Sequence, residues 1–298
     1  MDYLQDKAYE ASLKSIETEN YIDRLIFRPV GFVIAKQLSK TTIMPNMITI
    51  ISIFIGVASG PFFYYNQLHY TLIGIFCLLV ANLLDCVDGQ LARLTGKNSK
   101  IGRILDGVAG DLWFASIYIF LALRLHTEYG TWLFFIPAAL AGLSHLIQAN
   151  ITDYYKTLHL LFVSKEKGQD FQRLEDIRAS YKTMKPDIRK VLVFCYLIYT
   201  SFQEATTPKL QQMLQHLHHT YGDLIPDDIR LDFRRQSNRL MKILIDTMTF
   251  NSRIIFLFFT LIIGYVWLYF IFEIIILNLV LLLSIYLHEN ICSKFILK

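Results

Sequence analysis

The segment LLDCVDGQLARLTGKNSKIGRILDGVAGD, residues 83–111, joins the end of one apolar run to the start of another. Residues 70–88 and 105–125 are each long and apolar enough to cross a membrane as a helix, which takes about 20 mostly apolar residues for a ~30 Å hydrocarbon core. The segment therefore reads as two membrane helices joined by a basic loop, with Asp85 and Asp88 closing the first and Asp106 and Asp111 opening the second. At about 100° per residue, Asp85 and Asp88 point only about 60° apart and share a helix face. Carboxylates grouped at a membrane boundary are costly when unpaired, and several sharing one place repel each other and tend to hold protons.

Two arrangements relieve that cost. The acids can pair with Arg93, Lys97, Lys100 and Arg103 of the loop, or simply be exposed. Alternatively they can bind a divalent cation between the helices. Oxygen donors without histidine favour Mg²⁺, Mn²⁺ or Ca²⁺ over zinc.

Working outward, the 298-residue chain is 54% hydrophobic and 18% charged. The apolar share exceeds, and the charged share falls below, what soluble domains carry, and disorder is excluded. Six spans are predicted, at 46–66, 70–88, 105–125, 131–151, 253–270 and 273–290. The last two form one apolar stretch too long for a single helix. Glu273 is the expected turn between them, because an acid at mid-bilayer costs about 2.5–3.5 kcal/mol on insertion scales. Arg93, Lys97, Lys100 and Arg103 sit between spans two and three, whereas the short loops 66–69 and 126–130 hold no Lys or Arg. That asymmetry places both termini and the 89–104 loop on the cytoplasmic side of an inner or plasma membrane.

The remaining chain falls into segments around these spans. Residues 1–44 are a cytoplasmic and interfacial segment; its stretch NYIDRLIFRPVGFVIAKQLSK spaces apolar residues as a helix does, with Arg24, Arg28, Lys36 and Lys40 between them. It reads as an amphipathic helix on anionic headgroups, or as a cap packed on the bundle. Residues 45–151 hold spans one to four, 152–252 a charged helical cytoplasmic insertion, and 253–298 spans five and six with a tail. Within the insertion, VLVFCYLIY (191–199) is too short to span. The polar N-terminus lacks the apolar core of a signal peptide. Cys77, Cys86, Cys195 and Cys292 form no CxxC or Cys/His spacing, so neither a disulfide framework nor a zinc motif is indicated. His216, His218 and His219 read as solvated, and the net charge of +4 does not point to nucleic acid.

The spacing of the acidic segment resembles the signature of the CDP-alcohol phosphotransferases, D-x2-D-G-x2-A-R followed after eight residues by G-x3-D-x3-D. The matching positions are Asp85, Asp88, Gly89, Ala92, Arg93, Gly102 and Asp106, and the eight residues Leu94 to Ile101 separate Arg93 from Gly102. Pro45, Asn46 and Thr49 match the family's Pro-Asn-x2-Thr start of span one. The resemblance covers about the first 150 residues and the last 50, and leaves the insertion unexplained. One position departs. The family's fourth Asp falls on Gly110, and the nearest carboxylate is Asp111. Five residues turn a regular helix by about 140°, four by about 40°. A single-turn bulge near Gly107 and Gly110 is expected to absorb the extra residue and restore the facing; otherwise Asp111 stands behind the ligands.

The resemblance implies an all-α polytopic enzyme in which Asp85, Asp88, Asp106 and Asp111 hold Mg²⁺ (or Mn²⁺) on the diphosphate of a CDP-linked donor. It implies that Asp111 takes the proton of the attacking alcohol. Asn46, Gly89, Ala92, Arg93 and Gly102 would border the nucleotide and its phosphates, although Arg93 also suits an interfacial anchor and Asn46 ordinary helix punctuation. Asn150, Asp153, Lys156 and Arg253 are candidates for the acceptor pocket, with Lys156 and Arg253 equally readable as positive-inside anchors. The implied reaction moves a phosphatidyl group from CDP-diacylglycerol to a small polyol or polyol phosphate, inositol phosphate foremost, releasing CMP. Transfer of a headgroup from a CDP-linked headgroup to diacylglycerol or ceramide is the alternative. A cation-coupled carrier is disfavoured, because the acids lie at one face and no repeat is evident. The insertion is open to a role in homodimer contacts.

Overall fold

The computed structural model describes residues 7–97, 100–163, 171, 173–222 and 225–296, and among these every regular element is helical. The N-terminal part holds α1 (Lys7–Ser12), a π turn (Asp23–Phe27) and α2 (Arg28–Leu38). Then come α3 (Pro45–Tyr64), α4 (Leu68–Thr95), α5 (Lys100–Tyr129) and α6 (Phe135–Val163). Four helices follow in the charged region: α7 (Leu174–Thr183), α8 (Ile188–Thr206), α9 (Pro208–Tyr221) and α10 (Asp227–Met248). The chain closes with α11 (Phe250–Ile263), α12 (Trp267–Ile271), a π turn (Phe272–Ile276) and α13 (Leu277–Ile296).

Five of the described helical stretches are long and apolar enough to cross a membrane: Pro45–Tyr64, Leu68–Thr95, Leu105–Tyr129, Trp132–Val163 and Trp267–Ile296. A sixth is present if Asp227–Met248 and Phe250–Ile263 count as one span broken at Thr249. The protein is an all-α integral membrane protein. The turn expected at Glu273 lies elsewhere: α11 stops at Gly264, whose φ of 80° is left-handed and costs glycine nothing, and the last span starts at Trp267. Glu273 instead sits inside that span, in the π turn, fully buried and ion-paired with Arg253. An acid within a span is tolerable when a cation meets it there, which removes the reason for a turn at that residue.

The chain divides into two compact units. Unit 1 comprises Met1–Ile147 with Asp246–Asn278, and unit 2 comprises Gln148–Ile245 with Leu279–Lys298.

In unit 1, α3 packs against both α4 and α5 around Phe63, Leu78, Trp113, Phe114, Ile117 and Leu121. Close approach depends on small residues one turn apart on α3. A Cβ at Gly56 would stand 2.2 Å from the Trp113 ring, and one at Gly60 would stand 2.2 Å from Ser116 Oγ and 2.9 Å from the Ser116 carbonyl. Small residues at this spacing let membrane helices meet backbone to backbone, and Ser116 Oγ then donates to the Val57 carbonyl at 2.8 Å. On the other side, α2 buries Gly31, Phe32 and Ala35 against α1 and the polar end of α4, and leaves Val30 and Val33 exposed.

In unit 2, Phe162 stacks on Phe233 at 4.1 Å between ring centroids, and Leu210, Met213 and Leu217 of α9 are buried. The short run 191–199 is the middle of α8, with Val191, Phe194 and Ile198 exposed on one side. His218 and His219 are exposed and His216 half-buried.

Candidate active site

Helix α4 continues unbroken past its apolar part to Thr95, where Gly96 (φ 65°) ends it, so Asp85 and Asp88 ride the same helix face near its C-terminus. Asp106 lies in the second turn of α5. The tertiary packing brings the three together: one carboxylate oxygen from each of Asp85, Asp88 and Asp106 lies within 4.8 Å of the others. Asp88 is buried, Asp85 half-buried and Asp106 exposed. Asp88 is held from a third helix, because Thr49 Oγ1, one turn into α3, donates to Asp88 Oδ2 at 2.5 Å. Thr49 is buried and also reaches the Pro45 carbonyl at 3.2 Å.

The N-terminal segment braces this end of α4. Gln90 Nε2 donates to Ser12 Oγ (3.2 Å) and to the Arg28 carbonyl (3.1 Å), and Arg93 Nε donates to the Ser12 carbonyl. Arg28 pairs with Glu19 at 2.9 Å. Asp23 accepts from Asn251 Nδ2 at 2.8 Å and from Asn82 Nδ2 at 3.4 Å, and Asn251 also donates to Asn20 Oδ1 at 2.8 Å. Burial pushes the Asp23 carboxyl above the usual carboxylate range, against the pull of the Asn251 amide, Arg28 and the Asn82 amide. Asp23 and Arg28 are both within electrostatic range of Asp85. In sequence Arg28 reads as a headgroup contact and Arg93 as a phosphate contact; their meeting with Ser12, Glu19 and Asp23 was not legible there, because most of these partners lie far apart in the chain.

Asp111 stands outside the group of three. The backbone of α5 is α-helical throughout, with no bulge at Gly107 or Gly110, so the five-residue step from Asp106 carries Asp111 round the helix as regular geometry requires. Its Oδ1 lies 3.6 Å from His145 Nε2, and the opposite ring nitrogen, Nδ1, is 3.2 Å from the Tyr118 hydroxyl. His145 also packs on Phe114, with ring centroids 4.4 Å apart.

The other residues singled out in sequence take these places. Asn46 is half-buried in the first turn of α3. Gly89, Ala92 and Arg93 continue α4 beyond the carboxylates, and a Cβ at Gly89 would meet Arg93 Nη2 at 3.2 Å, so the guanidinium lies over that glycine. Gly102 opens α5, half-buried. Arg253 is 1% exposed, and its guanidinium serves Glu273 and the Met248 carbonyl (3.2 Å). Asn150, Asp153 and Lys156 belong to unit 2. There Asn150 is tied to α8, donating to the Tyr199 carbonyl at 3.5 Å while its own carbonyl accepts from Gln203 at 3.1 Å. Asp153 is exposed and Lys156 half-buried.

Three oxygen donors at this mutual distance, without histidine or thiol, fit a hard divalent cation. Fold and site together define a polytopic membrane protein with a cluster of three carboxylates, able to hold a metal ion, where two spans meet. Residues 42–167 match the model of the CDP-alcohol phosphatidyltransferase family. An archaetidylinositol phosphate synthase of Pyrococcus horikoshii is 45% identical over 91 residues, 30% of this chain and 46% of that protein. One from Aeropyrum pernix is 31% identical over 90 residues, 29% and 45% of the two chains. An uncharacterized protein of Aquifex aeolicus is 31% identical over 120 residues, 40% and 56%. The chain thus spans about half the length of the curated relatives it matches.

Proposed function

We propose that this protein transfers a lipid phosphatidyl group from a CDP-linked donor to the hydroxyl of inositol phosphate, releasing CMP. The reading rests on one observation above all: Asp85, Asp88 and Asp106 converge within the matched family region. The names of two relatives, archaetidylinositol phosphate synthases, support inositol phosphate as acceptor.

Asp85, Asp88 and Asp106 would hold the divalent ion, Mg²⁺ or Mn²⁺, with Thr49 fixing the Asp88 carboxylate. When bound, the ion supplies neutralising charge to a diphosphate. Arg93 and Arg28 add positive charge on the same end of α4. Asp111, which stands apart from the three ligands beside His145, is assigned the alcohol proton on the family resemblance alone, with Tyr118 holding the far nitrogen of the His145 ring. The exposed apolar edge of α2 rests on the membrane surface, and the acidic site faces the cytoplasm by the distribution of Lys and Arg.

The test is CMP release from purified protein supplied with CDP-diacylglycerol, or its archaetidyl counterpart, with and without inositol phosphate. Acceptor-dependent CMP supports the proposal. No CMP from those donors, but release from CDP-inositol or CDP-ethanolamine with a lipid alcohol, reverses donor and acceptor.

A further inference from the structure

Unit 2 holds a second cluster of metal-binding groups of a different chemical kind. His288 and Cys292 lie one turn apart on α13, hence on one face, and are 2% and 0% exposed. His288 Nδ1 and Cys292 Sγ are 3.5 Å apart. A tetrahedral zinc site with Zn–S near 2.3 Å and Zn–N near 2.05 Å has an N-to-S edge of about 3.6 Å. Glu289 adds a carboxylate oxygen, and the three ligand atoms lie within 4.8 Å of one another. The Glu289 carboxylate is held in place by the backbone N–H groups of Lys209 (2.6 Å) and Leu210 (3.1 Å) at the start of α9. Such outer hydrogen bonds are what orient a metal-binding carboxylate.

Two further buried groups lie near this cluster, His159 outside its three mutually close ligand atoms. His159 of α6 is 1% exposed and within electrostatic range of His288, with its Nδ1 3.5 Å from Ser237 Oγ. The Tyr155 ring lies on the His288 ring at 4.2 Å, and Tyr155 is 1% exposed. Its hydroxyl has no hydrogen-bond partner among the described residues, yet it lies within electrostatic range of Glu289 and Cys292. A buried hydroxyl left without a partner is costly, and one on a ring that lies on an imidazole, close enough to a thiol and a carboxylate to feel their charge, marks a place where a ligand would satisfy it.

We infer that His288, Glu289 and Cys292, with His159 as the candidate fourth ligand, form a structural zinc site in unit 2. The nitrogen, sulfur and oxygen donors select a borderline-soft ion, whereas the all-oxygen group of unit 1 selects a hard one. Binding converts the Cys292 thiol to thiolate and releases its proton to solvent. The ion would tie α13 to α6, and through Glu289 to the start of α9, which explains why polar residues converge in an otherwise apolar core.

The experiment uses the full chain in detergent, stripped with EDTA and reloaded with Zn²⁺ or Co²⁺. The expected result is one equivalent of zinc kept through gel filtration, and with Co²⁺ a thiolate-to-cobalt charge-transfer band in the near ultraviolet. The band should persist when Cys77, Cys86 and Cys195 are all replaced by Ala, and disappear in Cys292→Ser. An Asp88→Asn protein should keep both signals, because the unit 1 acids contribute no thiolate. A folded wild-type protein that takes up Co²⁺ without that band would overturn the inference, as would zinc retention undiminished in Cys292→Ser. The wild-type and Cys292-only measurements decide the matter even if Cys292→Ser does not fold.

Discussion

The Thr49 hydroxyl donates to Asp88 Oδ2 at 2.5 Å and so joins α3 to the acidic end of α4. Thr49→Val keeps the shape and removes the donor. Groups that orient a metal ligand typically contribute about 10- to 100-fold in metal affinity or activity. The Mg²⁺ concentration for half-maximal CMP release should rise by about that factor, and Thr49→Ser should restore it. An unchanged Mg²⁺ midpoint in Thr49→Val would show that the contact does not position Asp88.

Asp88→Asn should bring CMP release below detection without loss of membrane insertion, since a ligand becomes a neutral amide. Asp111→Asn should lower turnover by about 10²- to 10⁴-fold, the usual contribution of a general base. Near-normal turnover in Asp111→Asn would show that another group takes the proton.

Chelation with EDTA should stop CMP release. In protein reloaded with one equivalent of zinc, Mg²⁺ or Mn²⁺ should restore it and further Zn²⁺ should not, as expected of Asp85, Asp88 and Asp106 acting as oxygen donors alone. Restoration by Zn²⁺ only would contradict that assignment.

Arg253 and Glu273 are buried partners from α11 and the π turn. Removing one partner of a buried pair strands a charge and costs about 3–5 kcal/mol. Arg253→Met should therefore lower the thermal stability of the detergent-solubilised protein, and Arg253→Met with Glu273→Gln should recover most of it. If Arg253 also binds acceptor phosphate, the double variant will be stable yet show a raised KM for inositol phosphate alone. A normal KM in the double variant would confine Arg253 to structure.

Gly60→Ala should lower the melting temperature, because the new Cβ would meet the Ser116 backbone at 2.9 Å and force α3 from α5. Overpacking of this kind costs about 1–3 kcal/mol. Gly107→Ala, with nothing within 4 Å of its Cβ, should be neutral or stabilising. Equal effects at the two positions would mean that the α3–α5 approach is not the constraint.

Local signals carried much of this fold. Span lengths and the shared face of Asp85 and Asp88 follow from helical geometry over adjacent residues, and the spacing from Asp85 to Asp106 identified the family region before the helices were seen to meet. The Gly56-to-Gly60 spacing was also a local signal for close helix packing, and could have been read as one. The turn near Glu273 could not be placed that way. A lone acid in an apolar run argues for a turn, and only the approach of Arg253 makes it a buried pair. The bulge expected before Asp111 came from the family signature, whose fourth Asp falls on Gly110, whereas α5 stays regular and the carboxylate meets His145 from α6.

Hydrophobic run length, helix period and the order of acidic and small residues thus dictate a helical membrane protein and the carboxylates that can share an ion, because those properties depend on neighbours within a turn or two. Which distant groups meet those carboxylates depends on packing. Thr49 against Asp88, His145 against Asp111, Arg253 against Glu273 and Tyr155 over His288 exist only once helices far apart in the chain lie side by side. A contact between separate helices is set by their crossing and rotation, which no local pattern encodes.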